Sequence, residues 1–228
     1  MLWDIDGTLV NTAGHGRDAF MQAFETVFGR QPAVADVAMA GRTDQAICLD
    51  LLDANGVRDP EVHVPRMFEE LHLALVERRD LMAEHGSPQP GVREALTQLR
   101  SRDDVLQSLL TGNIEPNAEV KLAAFGLESL VDLAIGGYGS DHVTRSELVG
   151  VARRKALALR GVDVAPAATV IVGDTPLDID AAHAAGARAV AVATGPYSLE
   201  ELGQTGPDAA LEDVTDAAAL VAALGLPT

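Results

Sequence analysis

Met1-Leu2-Trp3-Asp4-Ile5-Asp6-Gly7-Thr8-Leu9-Val10 opens the chain with a short apolar run that ends in two carboxylates one residue apart and a glycine. The run reads as the end of a strand, and Gly7 permits a tight turn that a side chain would obstruct. The spacing aims Asp4 and Asp6 at one mouth of a sheet. Taken alone, such a pair reads as a solvated acidic turn, so its meaning depends on what the rest of the chain brings to it.

From Gly14 to about Glu84 the apolar spacing is helical, with Ala19, Phe20, Ala23, Phe24, Val27 and Phe28 on one face, then Ile47, Leu51 and Leu52, then Met67, Leu71 and Leu75. Glycines at 14 and 16 and the stretch Gly86-Ser87-Pro88-Gln89-Pro90-Gly91 bound this block. It reads as a helical cap domain, residues 14–86, inserted into a core formed by residues 1–13 and 87–228.

Beyond Pro90 the pattern alternates. Helices are expected over Val92–Leu99, Ala118–Phe125, Glu147–Leu159 and Ile179–Ala185. Strands are expected over Val105–Leu110, Leu133–Ile135, Thr169–Val172 and Ala189–Val192. This βαβ rhythm predicts an α/β fold: a Rossmann-like parallel sheet with helices on both faces, whose ligands bind beyond the carboxyl ends of the strands.

Two more segments follow strands directly. Gly173-Asp174-Thr175-Pro176-Leu177-Asp178 supplies a second acidic pair, with Asp178 about one helical turn past Asp174. If both pairs meet, up to four carboxylates crowd together, and a divalent cation relieves their repulsion. Oxygen ligands without a Cys or His cluster select a hard ion, and a site that keeps several waters beside a phosphate suits Mg2+. Thr111-Gly112-Asn113 adds a hydroxyl and open backbone N–H groups ahead of a helix N-terminus, a setting that holds phosphate oxygens or, equally, an ordinary turn.

Composition narrows the partners. A formal net charge of −17 repels nucleic acid and anionic membranes. Cys48 is the only cysteine, which rules out an intrachain disulfide and points to the cytoplasm; it is expected to pack as a small apolar residue. With aromatics at only 4%, the core must be built from Ala, Val, Leu and Ile, and Ala-rich helices lying close on strands would suit it.

The three motifs, in this order around βαβ units, resemble those of the haloacid dehalogenase-like hydrolases over essentially the whole chain, with phosphoglycolate phosphatase-like members most similar. The resemblance implies that Asp4 attacks phosphorus, that Asp6 protonates the leaving alcohol and then activates water, and that Thr111 binds a phosphoryl oxygen. Gly7, Thr8, Gly112 and Asn113 would help hold the phosphate. Asp4, Asp174, Asp178 and the backbone carbonyl of Asp6 would face Mg2+. Asp6 itself argues for phosphoryl transfer over dehalogenation, because dehalogenases of the superfamily lack that second aspartate.

The chain departs from the family in one place, since Gly139 to Ser146 holds no Lys-Pro to balance the nucleophile's charge. Arg145 is the first candidate for that cation, with His142 and Lys121 as weaker ones. In the cap, Gly41-Arg42-Thr43-Asp44 could offer Arg42 to the substrate, or Thr43 or Asp44 could simply cap a helix. The histidines at 15, 63, 72 and 85 have no metal-binding spacing. The expected activity is hydrolysis of a small phosphorylated metabolite, phosphoglycolate or a sugar phosphate, by a monomer or homodimer. A sugar phosphomutase and a non-catalytic phosphate-binding module are the alternatives.

Overall fold

The computed structural model describes residues 1–227. Strand β1 (Leu2–Trp3) leads through β2 (Val10–Asn11) into helices α1 (His15–Phe28), α2 (Asp44–Ala54), α3 (Pro60–Glu77) and α4 (Arg79–His85). β3 (Ser87–Pro88), α5 (Val92–Arg100), β4 (Ser108–Leu109), α6 (Glu115–Ala124) and α7 (Arg145–Arg160) follow. The chain continues through β5 (Val170–Gly173), α8 (Pro176–Ala184), β6 (Arg188–Val192), α9 (Leu199–Gln204), β7 (Ala209–Leu211) and α10 (Ala217–Ala223).

The main sheet runs β4-β1-β5-β6-β7, and every pairing in it is parallel. Its strands divide their side chains between two apolar layers with a period of two. Trp3, Leu109, Val170, Val172, Val190 and Val192 join α5, α6 and α10 on one face. Leu2, Leu110, Ile171, Ala189 and Ala191 join α7, α8 and α9 on the other. The second layer is rich in alanine, with Ala152 of α7, Ala181 and Ala182 of α8, and Ala189 and Ala191 of β6 all part of it, which suits close packing of these helices on the sheet.

Helices α1–α4 gather a third apolar cluster of their own, centred on Phe24, Leu51, Leu52, Met67, Leu75 and Met82. Cys48 packs inside it with no exposed surface, and burial pushes its thiol up to about 12. The two chain segments that join this cluster to the sheet pair with each other as the antiparallel ribbon β2–β3. Entry to and exit from the helical block are thereby tied side by side.

The sequence expectations need three corrections. Leu133–Ile135 forms a 3₁₀ turn, with the Asp132 side chain accepting from the Ala134 N–H. The parallel contact expected there falls two residues later, as a single bridge between Leu110 and Gly137. The strand expected over Val105–Leu110 keeps its ladder only at Ser108–Leu109, because β1, its neighbour in the sheet, spans two residues. Finally, the linker ribbon, α9, β7 and α10 carry periodicity too short to register as sequence pattern.

The alanine layer yields a test. Ala191→Leu places a larger side chain at a position with no exposed surface, and overpacking of this kind costs about 1–3 kcal/mol. Urea unfolding should report a loss in that range, with an unchanged dependence on denaturant.

Candidate active site

Three adjacent strands deliver the site. Asp4 follows β1, Thr111 comes two residues after β4 on one side of it, and Asp174 follows β5 on the other. All three lie at the carboxyl edge, where parallel sheets of this kind bind ligands. The edge opens into a cavity of ≈ 280 Å³ walled on its far side by residues from the cap helices and the 39–44 segment.

Gly7 is what lets the acidic motifs converge. Its φ is +86°, and a Cβ there would lie 2.3 Å from an Asp174 carboxylate oxygen. The Thr8 hydroxyl donates to the other Asp174 oxygen at 2.7 Å. Thr8 therefore spends its side chain on orienting Asp174, where the sequence suggested a phosphate contact.

Asp4, Asp174 and Asp178 are all buried and offer oxygens within 4.8 Å of one another. Burial, followed by repulsion from Asp4 and Asp178, pushes the Asp174 carboxyl up to about 8. Asp4 is pushed up to about 6, chiefly by burial, with Arg145 opposing the shift. A cluster of buried oxygen donors with an excess of negative charge fits a hard divalent cation. The Asp6 carboxylate does not join this group; it turns away into the cavity, with its side chain 45% exposed.

Arg145, the first residue of α7, sits beside the cluster. Its Nη2 is 2.8 Å from Asp4 Oδ1 and 2.5 Å from Asp178 Oδ1, and it also donates to the Leu110 carbonyl at 3.2 Å. Burial works against its charge, but Asp178 and Asp4 outweigh that and hold the guanidinium above its usual range. Its Nε–H is buried without an acceptor in the protein. Asp178 is further engaged by the Thr175 N–H at 3.1 Å and the Thr175 hydroxyl at 2.7 Å, forming a capping box on α8.

Lys121 is the residue that sequence reasoning underrated. Its Nζ contacts both Asp6 oxygens, at 2.8 and 2.6 Å, and Asn113 Nδ2 donates to Asp6 Oδ2 at 2.8 Å. Asn113 also donates to the Thr111 hydroxyl oxygen at 2.7 Å, which leaves the Thr111 O–H free to donate elsewhere. A signal was present in the spacing: Asn113, Asn117 and Lys121 recur every four residues, and all three are buried. His142 serves its own turn instead, accepting from the Thr144 N–H at 2.9 Å.

The segment leading into α2 meets this site through backbone and side chains together. The Asp44 N–H donates to the Gly112 carbonyl at 2.7 Å, and the Asp44 carboxylate accepts from the Ile114 N–H at 2.9 Å. Thr43 donates to the Val143 carbonyl at 3.0 Å, and Arg145 Nη1 donates to the Gly41 carbonyl at 3.2 Å. A Cβ on Gly112 would fall 1.9 Å from the Arg42 carbonyl oxygen, so only glycine allows this approach. Thr43 also caps α2, while Arg42 lines the cavity with its guanidinium paired to Asp50 at 2.5 Å. His15 and His85 pair with each other at 3.2 Å, and His72 bonds Asn117 at 3.0 Å.

A parallel sheet with acidic groups and a hydroxyl at its carboxyl edge, beneath a helical cover, has the architecture of an α/β enzyme. Comparison with known proteins gives the particular family. The profile of the haloacid dehalogenase-like hydrolases matches residues 1–192. "Probable phosphatase IndB" of Dickeya dadantii is 26% identical over 95% of this chain and 90% of its own. The phosphoglycolate phosphatase of Synechococcus elongatus is 36% identical over 56% of each chain. A hydrolase from Pseudomonas syringae of solved structure superposes with a TM-score of 0.69 at 20% identity, covering 94% of both chains. The chain belongs to the haloacid dehalogenase-like hydrolases.

Two measurements probe the charge balance. Removing Arg145 leaves Asp4 and Asp178 buried without a cation, so Arg145→Met should lower stability at neutral pH by about 3–5 kcal/mol in urea unfolding without metal. The second concerns Asp4 and Asp174, which rise from an ordinary 3.8 to about 6 and about 8. Their ionisation costs the metal-free folded chain stability, which is fully present below pH 3.8 and is lost as pH rises through those folded values. A bound divalent ion offsets that cost, so the thermal upshift on adding Mg2+ should be larger near pH 8 than near pH 5.5. Equal shifts at both would contradict ion binding by these carboxylates.

Proposed function

We propose that this chain is a magnesium-dependent phosphatase that hydrolyses a small phosphate monoester through an aspartyl-phosphate on Asp4. The observation that carries the reading is the convergence of Asp4, Thr111 and Asp174 from adjacent strands on one cavity, with Asp6 facing into it.

In the first half-reaction an Asp4 oxygen forms a bond to phosphorus while the bond to the alcohol oxygen breaks, and the Asp6 carboxyl gives that oxygen its proton. The Thr111 hydroxyl and the backbone after Gly112 hold phosphoryl oxygens. In the second, the Asp6 carboxylate takes a proton from water as its oxygen bonds to phosphorus, releasing inorganic phosphate and restoring Asp4. Arg145 holds Asp4 and Asp178 in register throughout, and Lys121 with Asn113 aims Asp6 at the leaving group. Asp4, Asp174 and Asp178 are the residues that would hold Mg2+, which when bound neutralises charge on the nucleophile and the phosphoryl group. The 39–44 segment, docked on the core, excludes water from the first step.

Among the described residues no helix is long and apolar enough to cross a membrane. The single cysteine and the acidic surface suit a cytoplasmic enzyme.

The test is phosphate release from a panel of monoesters with and without Mg2+, for the wild type and Asp4→Asn. Metal-dependent release that falls by several orders of magnitude in the variant is expected, because the uncatalysed reaction is extremely slow. Equal rates in both proteins would remove Asp4 from the mechanism. Interconversion of a sugar phosphate without phosphate release would favour a mutase.

A further inference from the structure

Resting on that phosphatase reading, we infer that the alcohol portion of the substrate is uncharged and presents an apolar face, so that phosphoglycolate is a poor substrate. The part of the wall that comes from the helical block holds Phe20 of α1, Met39 of the loop before α2 and Ile47 of α2, beside Arg17, Arg42 and Asp44. Phe20 and Ile47 are anchored in the cap's apolar cluster, and Met39 is packed against it. An alcohol bound beside the phosphoryl group shares one cavity with these side chains.

A substrate with a second anion would need a cation there, and each one in reach already has partners. Arg17 donates to the carbonyls of Ala35 and Val37, at 3.0 and 3.2 Å, and lies 3.7 Å from Asp36. Arg42 is paired with Asp50 and donates to the Ala38 carbonyl at 3.3 Å. Lys121 is held by both oxygens of Asp6. A carboxylate at this part of the wall would lie against apolar surface and near Asp44 with no unpaired cation, which disfavours it strongly once water is excluded. The cavity of ≈ 280 Å³ also lies at the small end of ligand pockets, which run roughly 300–1,000 Å³, so the alcohol is compact.

The experiment compares alkyl phosphates of similar leaving ability on the full chain with Mg2+: phosphoglycolate, its neutral methyl ester, and benzyl phosphate. Both neutral esters should exceed phosphoglycolate in kcat/KM by about tenfold or more. Met39→Lys, which adds a flexible cation at the partly open edge of the wall, should narrow that ratio by a similar factor. Preference of the wild type for phosphoglycolate overturns the inference while leaving the phosphatase reading intact, and loss of that preference in Arg17→Gln would identify Arg17 as the anion's partner. Absence of Asp4-dependent release from every ester overturns both.

Discussion

Three carboxylates buried at the edge of the central strands would not ionise together without positive charge, and the rest of the site is arranged around supplying it. Arg145 provides the protein's own share. Its Nη2 serves Asp4, Asp178 and the Leu110 carbonyl, while Nη1 reaches the Gly41 carbonyl in the cap. A lysine ammonium has three donors at one point and could not span acceptors on both sides of the cleft, whereas a guanidinium presents five in a fixed plane. The absence of a Lys-Pro after Gly139 is thus matched by an arginine whose geometry couples charge balance to cap docking.

Much of the core was legible because parallel strands buried on both faces read as short apolar runs between helices. The strands expected over Thr169–Val172 and Ala189–Val192 lie within a residue of the observed Val170–Gly173 and Arg188–Val192 for that reason. Leu133–Ile135 was misread because three apolar residues fit a strand or a turn equally well, and the Asp132 side chain that decides the matter acts locally. The acidic residues were legible by their position after strands. What each one touches was not, since Thr8 bonds Asp174 across 166 positions and Lys121 bonds Asp6 across 115. Such pairings depend on how the strands are ordered in the sheet.

Gly112 shows a residue carrying more than its motif suggests. As part of a phosphate loop it needs only an open N–H, yet its missing side chain is also the space in which the Arg42 carbonyl lies. The Asp44 carboxylate, pushed up to about 6 chiefly by burial, bonds the N-terminal end of α6, the helix that carries Lys121. The cap segment and the Asp6–Lys121 pair therefore rest on the same short stretch of chain. Docking of the 39–44 segment and the ordering of Asp6 are mechanically one arrangement.

The same geometry resolves how a chain of net charge −17 can admit an anionic ester. The cavity is lined by Asp4, Asp6, Asp44 and Asp174, and equally by Arg17, Arg42, Lys121 and Arg145. The wall itself carries four negative and four positive groups when all are charged, and Asp178 behind it, paired with Arg145, adds one negative charge, so the field an ester meets at close range is not that of the surface as a whole. The long-range repulsion is spread over the exterior and screened within about 8–10 Å at physiological salt. A divalent ion held on the three carboxylates, as proposed above, would add positive charge beside the phosphoryl group. The charge favours one phosphate at one point, and the apolar wall beyond it, whose cations are already partnered, offers no second place for an anion.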